Sequence, residues 1–312
     1  MPFISLLGDV LACTAARLLT GFLNCLPVNV RLSLVSGIVR LVLYCSPRFA
    51  RTARRNLAFV FPDKSAAERE NLLKESCQAL ARVFVDFARL PNLDRRWMKE
   101  HVHCAYLARL DEIKRHNPEA RILIATGHLG SFELLAHYSA VMGHPLSFVV
   151  RDFKLPRLDR WWRSIREAHG NRVISRKGSF DEVLADLRAG RIVGLLFDQN
   201  VTRNHAVFVD WFGRPAATTR AVALAAVRTK AIILVAGIVH ETGDNYRIDV
   251  IERDFTAFIE DQNLELDQKV IRITEIISRD YQQMILQKPA SWFWMHRRWK
   301  TTPPGTAEDF YD

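Results

Sequence analysis

The chain has few cysteines and no Cys-x-x-Cys pair: Cys13, Cys25, Cys45, Cys77 and Cys104 are odd in number and widely spaced. That excludes a disulfide framework or a zinc ribbon as the organising principle, and a reducing compartment fits best. Internal repeats, low-complexity tracts and a His-Glu-x-x-His metal motif are also absent. Long uncharged hydrophobic runs are missing too. Within residues 1–46 the longest, Leu18 to Val30, has 13 residues, short of the roughly 20 that span a bilayer. No Lys or Arg precedes Arg17, which argues against a cleavable signal. Residues 1–46 are nevertheless strongly apolar, interrupted by Asp9, Arg17, Arg31 and Arg40. They read as an N-terminal interfacial or re-entrant membrane anchor, with a buried helical pair as the competing reading.

What is present is hydrophobic and basic. Of 312 residues 49% are hydrophobic, enough for a substantial core and too many for a disordered chain. The balance of 44 Lys+Arg against 34 Asp+Glu gives +10, which favours anionic partners such as phosphates, acidic proteins, anionic membranes or nucleic acid. Arg48, Arg51, Arg54 and Arg55 follow the apolar segment directly. Positive charge beside a membrane-seeking segment fits the cytoplasmic side. Residues 47–312 show no linker that demands a further division. Ser65 to Leu90 reads as one amphipathic helix ended by Pro91. Strands are then expected at 121–126, 146–150, 172–175, 192–197, 232–239 and 246–251, alternating with helices near 131–142, 156–168, 179–189, 218–229 and 264–287. Such alternation defines an α/β fold with a largely parallel or mixed central sheet flanked by helices.

The candidate chemistry sits in Gly127-His128-Leu129-Gly130-Ser131-Phe132-Glu133, between an apolar strand and an amphipathic helix. Spacing alone carries little: with this composition about one His followed by an acid five residues on is expected by chance, and the chain has two, His128/Glu133 and His205/Asp210. Context separates them. His128 follows the apolar run Arg121 to Thr126, Gly127 and Gly130 permit a sharp turn, and Ser131 reads as the N-cap of the next helix. Glu133 then falls in the first helical turn, where the macrodipole favours a carboxylate. His128 is the expected general base and Glu133 its orienting partner. His205/Asp210 has a loop-like setting.

Polar residues also end the neighbouring strands: Arg151 after Val149-Val150, Arg176 after Ser175, and Asp198-Gln199 after Phe197. Ligands in open α/β sheets bind outside the carboxyl ends of strands, so these groups are expected to face one crevice with His128. Arginine suits phosphate there through its planar fork. Each also has a plainer reading, as a solvated charge or a turn residue. The stretch Val207 to Thr219 reads as a loop whose Phe208, Trp211 and Phe212 line an acyl-sized slot, with Thr218 or Thr219 capping the following helix. Trp292 to Lys300 mixes aromatics and cations, which suits a membrane interface or a single-stranded nucleic-acid platform. Glu133 and His137, four apart on one helix, leave a metal-dependent hydrolase as a rival reading.

Taken in order, Gly127 to Glu133, Asp198-Gln199, Val207 to Thr219 and Trp294-Met-His-Arg-Arg-Trp-Lys-Thr301 with Pro303 resemble the bacterial lipid A biosynthesis acyltransferases. These are the late lauroyl and myristoyl transferases of the lysophospholipid acyltransferase superfamily. Arg54-Arg55-Asn56-Leu57 and Phe61-Pro62 resemble the family's N-terminal pattern. The resemblance covers about residues 50–304. It implies a glycerolipid-acyltransferase α/β domain on the cytoplasmic face of the inner membrane. The reaction implied is O-acylation of a Kdo-bearing lipid A precursor by acyl-acyl carrier protein, with no cofactor and no metal. His128 and Glu133 match the family's histidine and its acidic partner, and Asp198 the acid of a third block. Arg151, Arg176, Arg166 and Gly130 join Asp198 as expected substrate-binding positions. Thr229-Lys230-Ala231 stands where many relatives have Thr-Gly-Ala. A different glycolipid or phospholipid acceptor, and a non-enzymatic module that binds anionic lipid or nucleic acid, are the alternatives.

Overall fold

The computed structural model describes residues 2–306 and 310–311. It opens with four helices, α1 (Pro2–Cys25), α2 (Val28–Cys45), α3 (Pro47–Val60) and α4 (Ala66–Arg89), then α5 (Arg95–His101), β1 (Val102–Cys104) and α6 (Leu107–His116). The central alternation follows: β2 (Ile122–Thr126), α7 (Phe132–Val141), β3 (Leu146–Val150), α8 (Pro156–Arg166), β4 (Arg172–Ser175), α9 (Ser179–Arg188) and β5 (Ile192–Leu196). The rest is β6 (Ala206–Trp211), β7 (Arg214–Thr219), α10 (Ala221–Thr229), β8 (Ile232–His240), β9 (Tyr246–Arg253), α11 (Thr256–Glu260) and α12 (Leu266–Gln287).

Seven strands form one mixed sheet in the order β1-β9-β8-β2-β5-β3-β4, with β8 and β9 antiparallel and the other pairs parallel. Helices flank it, as expected of the α/β class. Strand β2 shows why the sheet is central: Ile122 and Ile124 enter the cluster containing Leu134 and Tyr138 of α7, while Leu123 and Ala125 enter the one containing Ala225 of α10 and Ile277 of α12. A strand buried on both faces reads as a continuous apolar run. Each Ile or Leu of the strand contributes about 1.5–3 kcal/mol by leaving water.

Helix α4 begins at a reciprocal capping box between Ser65 and Glu68 and buries Leu72, Leu73, Ser76, Cys77, Ala81 and Val85. Helices α1 and α2 pack on it along one side. Their other sides expose Leu6, Leu7, Leu11, Leu18, Leu19 and Phe22 of α1, and Val30, Leu34, Ile38, Leu41 and Val42 of α2. Apolar exposure on this scale marks an interaction surface. Leu6–Cys25 and Val28–Cys45 are long and apolar enough, by length and composition, to cross a membrane. Asp9, read from sequence as an interruption, is buried, and its carboxylate accepts the backbone N–H groups of Arg157 (2.9 Å) and Leu158 at the start of α8. It caps a helix 148 residues away in sequence.

Two expectations are corrected. The stretch Val207 to Thr219 is the β6–β7 hairpin, register Ala206 opposite Thr219; Thr218 and Thr219 belong to β7, and the Thr219 hydroxyl still accepts the Ala221 N–H that opens α10, at 3.3 Å. Trp211 of that hairpin is fully buried against Phe197 and Trp292, so it fills core. The alternation of the hairpin was obscured because Pro215, Gly213 and small alanines dominate its second half. The tail from Trp292 to Lys300 is also core rather than an exposed platform: Trp292, Trp294, Met295, Arg298 and Trp299 are buried. Buried Arg298 donates to the Ala217 carbonyl at 2.8 Å and to the Thr218 hydroxyl, and stacks over Trp211.

Candidate active site

The sheet register builds the site. Thr126 pairs with Leu196 at the ends of β2 and β5, and Phe197 N–H continues the ladder to the Thr126 carbonyl at 3.0 Å. His128 and Asp198, each two residues beyond that pair, therefore emerge side by side. His128 Nδ1 and Asp198 Oδ1 are 2.9 Å apart, and the His128 backbone N–H donates to Asp198 Oδ2 at 2.7 Å. The Trp292 indole N–H adds a third bond to the same carboxylate at 2.9 Å. Asp198 is 2% exposed and His128 23%, so the carboxylate lies behind a ring whose outer edge reaches solvent.

This geometry corrects the expected roles of two acids. The carboxylate that holds the imidazole is Asp198, not Glu133, and its burial leaves it no face for substrate. Glu133 instead pairs with Arg166 of α8, Oε2 to Nε 3.1 Å, with a second close contact between the same groups. Arg166, expected at the substrate, is held by that ion pair and by the rings of Phe87 and Trp162. The physical reason is direction: Glu133 lies in α7 facing α8, whereas Asp198 comes from the strand next to β2.

Three further elements fix the loop. A Cβ at Gly127 would lie 2.6 Å from Asp198 Oδ2, so glycine is what lets the carboxylate approach. Gly130, expected as a substrate contact, has φ +60° and abuts the Ile238 carbonyl, and its N–H donates to Ser291 at 2.8 Å. Its need is conformational. Ser131 does not cap α7 with its side chain; its hydroxyl donates to buried Asp86 of α4. Tyr246 also donates to Asp86, at 2.7 Å. Burial pushes the Asp86 carboxyl up to about 6, against the pull of these hydrogen bonds.

The four strand ends do lie along one edge, since β2, β5, β3 and β4 are sheet neighbours in parallel. Arg151 and Arg176 stand at the outer two, both exposed. Among them His128 is in contact with Asp198 and Gln199, and neither arginine joins that contact in the described hydrogen bonds. His205 and Asp210 are exposed on the hairpin side. His137 is buried, its Nε2 3.3 Å from the Leu93 carbonyl; burial lowers it to about 4.

Sequence reasoning placed Gln199 at the crevice with His128 but missed Trp292 and Asn56 as contributors. The Gln199 amide donates to His128 Nε2 at 3.2 Å, occupying the place a reacting hydroxyl would take. Asn56 is buried and donates to the carbonyls of Trp294 and His296, both at 2.8 Å, tying the Arg54-Arg55-Asn56-Leu57 stretch to the tail that carries Trp292. Adjacent position to Asp198 was the available signal for Gln199; for Trp292 and Asn56 there was none beyond residue type.

The electrostatics follow from the burial. Loss of water disfavours the charged imidazole, but the Asp198 charge and hydrogen bond outweigh it, with a smaller pull from Glu133, and raise His128 above the ordinary value. The same attraction overcomes burial and lowers Asp198. With Nδ1–H directed at Asp198, Nε2 carries the lone pair and accepts from the Gln199 amide. A histidine so held accepts a proton from a hydroxyl.

Fold and site together define an α/β protein with a carboxylate-held histidine at the carboxyl end of a mostly parallel sheet. The chain belongs to the bacterial lipid A biosynthesis acyltransferase family, whose sequence pattern matches residues 13–301. It is 22% identical over 267 residues to a lipid A biosynthesis myristoyltransferase of Escherichia coli K12, covering 84% of this chain and 80% of the relative. It is 25% identical over 261 residues to a lipid A biosynthesis palmitoleoyltransferase of the same strain, covering 82% and 80%. A lauroyltransferase of that strain is 21% identical over 289 residues, covering 91% and 90%.

Proposed function

We propose that this acyltransferase moves a fatty acyl chain from an acyl-acyl carrier protein thioester to a hydroxyl of a Kdo-bearing lipid A precursor, at the cytoplasmic face of the inner membrane. The observation that carries this reading is the partly exposed His128 ring with buried Asp198 held against Nδ1, which leaves Nε2 to the reacting hydroxyl. The acceptor hydroxyl displaces the Gln199 amide and gives its proton to Nε2. Its oxygen attacks the thioester carbonyl carbon, the carbon–sulfur bond breaks, and the imidazolium returns the proton to the departing thiolate. Asp198 positions the ring and stabilises the imidazolium. Positioned acid–base catalysis of this kind is worth about 10²- to 10⁴-fold. The Glu133–Arg166 pair, 12% and 15% exposed, acts as a brace between α7 and α8 and keeps Glu133 close enough to add to the field at His128. Arg151 and Arg176, exposed at the same edge, bind phosphates of the acceptor or of the carrier's phosphopantetheine. Residues 1–46 serve as the membrane anchor of the 47–312 domain, which suits the apolar faces of α1 and α2.

The test is product analysis by mass spectrometry after incubating purified protein with acyl carrier thioesters and a panel of lipid acceptors. Acylation of the Kdo-bearing precursor supports the reading. Acylation of a different glycolipid or phospholipid alone would replace the acceptor while keeping the chemistry.

A further inference from the structure

Helices α1 and α8 enclose a cleft of about 420 Å³ that the acyl-transfer chemistry does not use. From α1 it is lined by Val10, Cys13, Thr14 and Arg17, and from α8 by Arg157, Arg160, Trp161 and Ser164. Both sets follow the i, i+3, i+4, i+7 pattern, so each is one face of its helix and the two faces oppose each other. The wall is mixed: Val10, Cys13 and the Trp161 ring are apolar, and three guanidinium groups supply charge.

Those guanidinium groups are without acidic partners among the described residues, and their neighbours show that this is selective. Helix α8 carries two other arginines, and both are neutralised: Arg163 by Asp152 and Asp159, Arg166 by Glu133. The arginines that face α1 are the pair left uncompensated. Asp9, the acid closest in sequence to the α1 face, is turned to the backbone N–H groups of Arg157 and Leu158 instead of pairing with a guanidinium. A second basic hollow, bounded by Arg51, Arg54 and Lys74, contains its own acid: Arg54 is paired with Glu70 at 2.9 Å. The α1–α8 cleft has no such internal counter-ion.

We propose that the α1–α8 cleft binds the phosphate of an anionic membrane lipid headgroup, Arg17, Arg157 and Arg160 holding the phosphate while the acyl chains run along the exposed apolar face of α1. This rests on the membrane association proposed above and not on the acyl-transfer step. Guanidinium groups suit phosphate because they offer planar, bidentate N–H pairs. The chains would lie against Leu6, Leu7, Leu11, Leu18 and Leu19, which are exposed beside the cleft. The same headgroup chemistry is offered by a bulk phospholipid and by a phosphorylated glycolipid.

Native mass spectrometry of the full chain in detergent reads the cleft without a bilayer, and vesicle sedimentation reads the anchor. The variants are R157Q/R160Q and, as a charge-matched control on exposed sites elsewhere, R115Q/R188Q. Phosphatidylglycerol and a bis-phosphorylated glucosamine-disaccharide lipid are the probes. Because two charge-assisted hydrogen bonds to the phosphate are lost, R157Q/R160Q is expected to weaken retention of the lipid by about a hundred-fold, the control changing it by less than about two-fold. Loss of phosphatidylglycerol retention assigns a bulk phospholipid, and loss confined to the disaccharide lipid assigns the glycolipid; either supports the site. Equal retention by both variants, for both lipids, overturns it. Sedimentation with phosphatidylcholine vesicles is expected for all variants, and its absence in the unsubstituted chain would sink the anchor reading while the detergent result still decides the cleft.

Discussion

His128 and Asp198 carry the proposed chemistry as a unit, so their substitutions differ in pH behaviour as well as in size. H128A is expected to lower kcat by about 10²- to 10⁴-fold with an unchanged circular dichroism spectrum; turnover near that of the unsubstituted enzyme would remove His128 as the base. Catalysis needs neutral Nε2, and the Asp198 charge raises the ring's pKa. The rate should therefore rise with pH through a midpoint above the ordinary value of about 6.5. D198N should lower kcat and also move that midpoint down, because the neutral amide no longer favours the imidazolium. A lower rate with an unmoved midpoint would mean that Asp198 only packs. His128 was legible in the sequence because a strand end followed by glycines announces a turn. Its true partner was not, because the β2–β5 register that joins residues 70 apart is a tertiary fact. The spacing to Glu133 offered a nearer candidate, and the structure spends that acid on Arg166.

Helices and turns give predictions of their own. A Cβ at Gly130 meets the Ile238 carbonyl and the position has φ +60°, so G130A should cost about 2–4 kcal/mol in denaturant unfolding. G178A, at φ +74° with open space around it, should cost only about 1–2 kcal/mol; equal losses would refute the steric account. D9A removes the bridge from α1 to the first turn of α8 and should cost about 0.5–2 kcal/mol. Limited proteolysis should then cut near α8 sooner than in the unsubstituted chain, and identical cleavage rates would contradict a bridging role. Elements with strong period or clear stops were readable: α4 from its apolar stripe and Pro91, β2 and β5 from continuous apolar runs. The β6–β7 hairpin and the buried tail were not. Polar, aromatic and basic residues suggested surface there, and only the closing of the hairpin, Asn56 and the tail around one another turns Trp211, Trp294 and Arg298 inward.

Across the whole molecule, a basic surface, an apolar N-terminal face and a sheet edge with a held histidine lie in one chain of +10 net charge. Its interior also sets an acid limit. His296 accepts the Asn200 N–H at 2.8 Å, and burial lowers it to about 4. As pH falls from about 6.5 to 4 the unfolded chain gains a proton there that the folded chain refuses, so stability should fall across that window. H296Q keeps an acceptor for Asn200 and cannot titrate. It should flatten the fall by up to about 3 kcal/mol, measured as urea unfolding free energy at pH 4 and pH 7; an unchanged slope would show that His296 is not the group responsible.

The central claim is acyl transfer at His128, and the most direct measurement is mass spectrometry of a Kdo-bearing, tetra-acylated lipid A precursor after incubation with acyl-acyl carrier protein and either the unsubstituted enzyme or H128A. A precursor heavier by one acyl group is expected with the former and unmodified precursor with the latter. An unmodified precursor with both, or an acylated one with both, would contradict that claim.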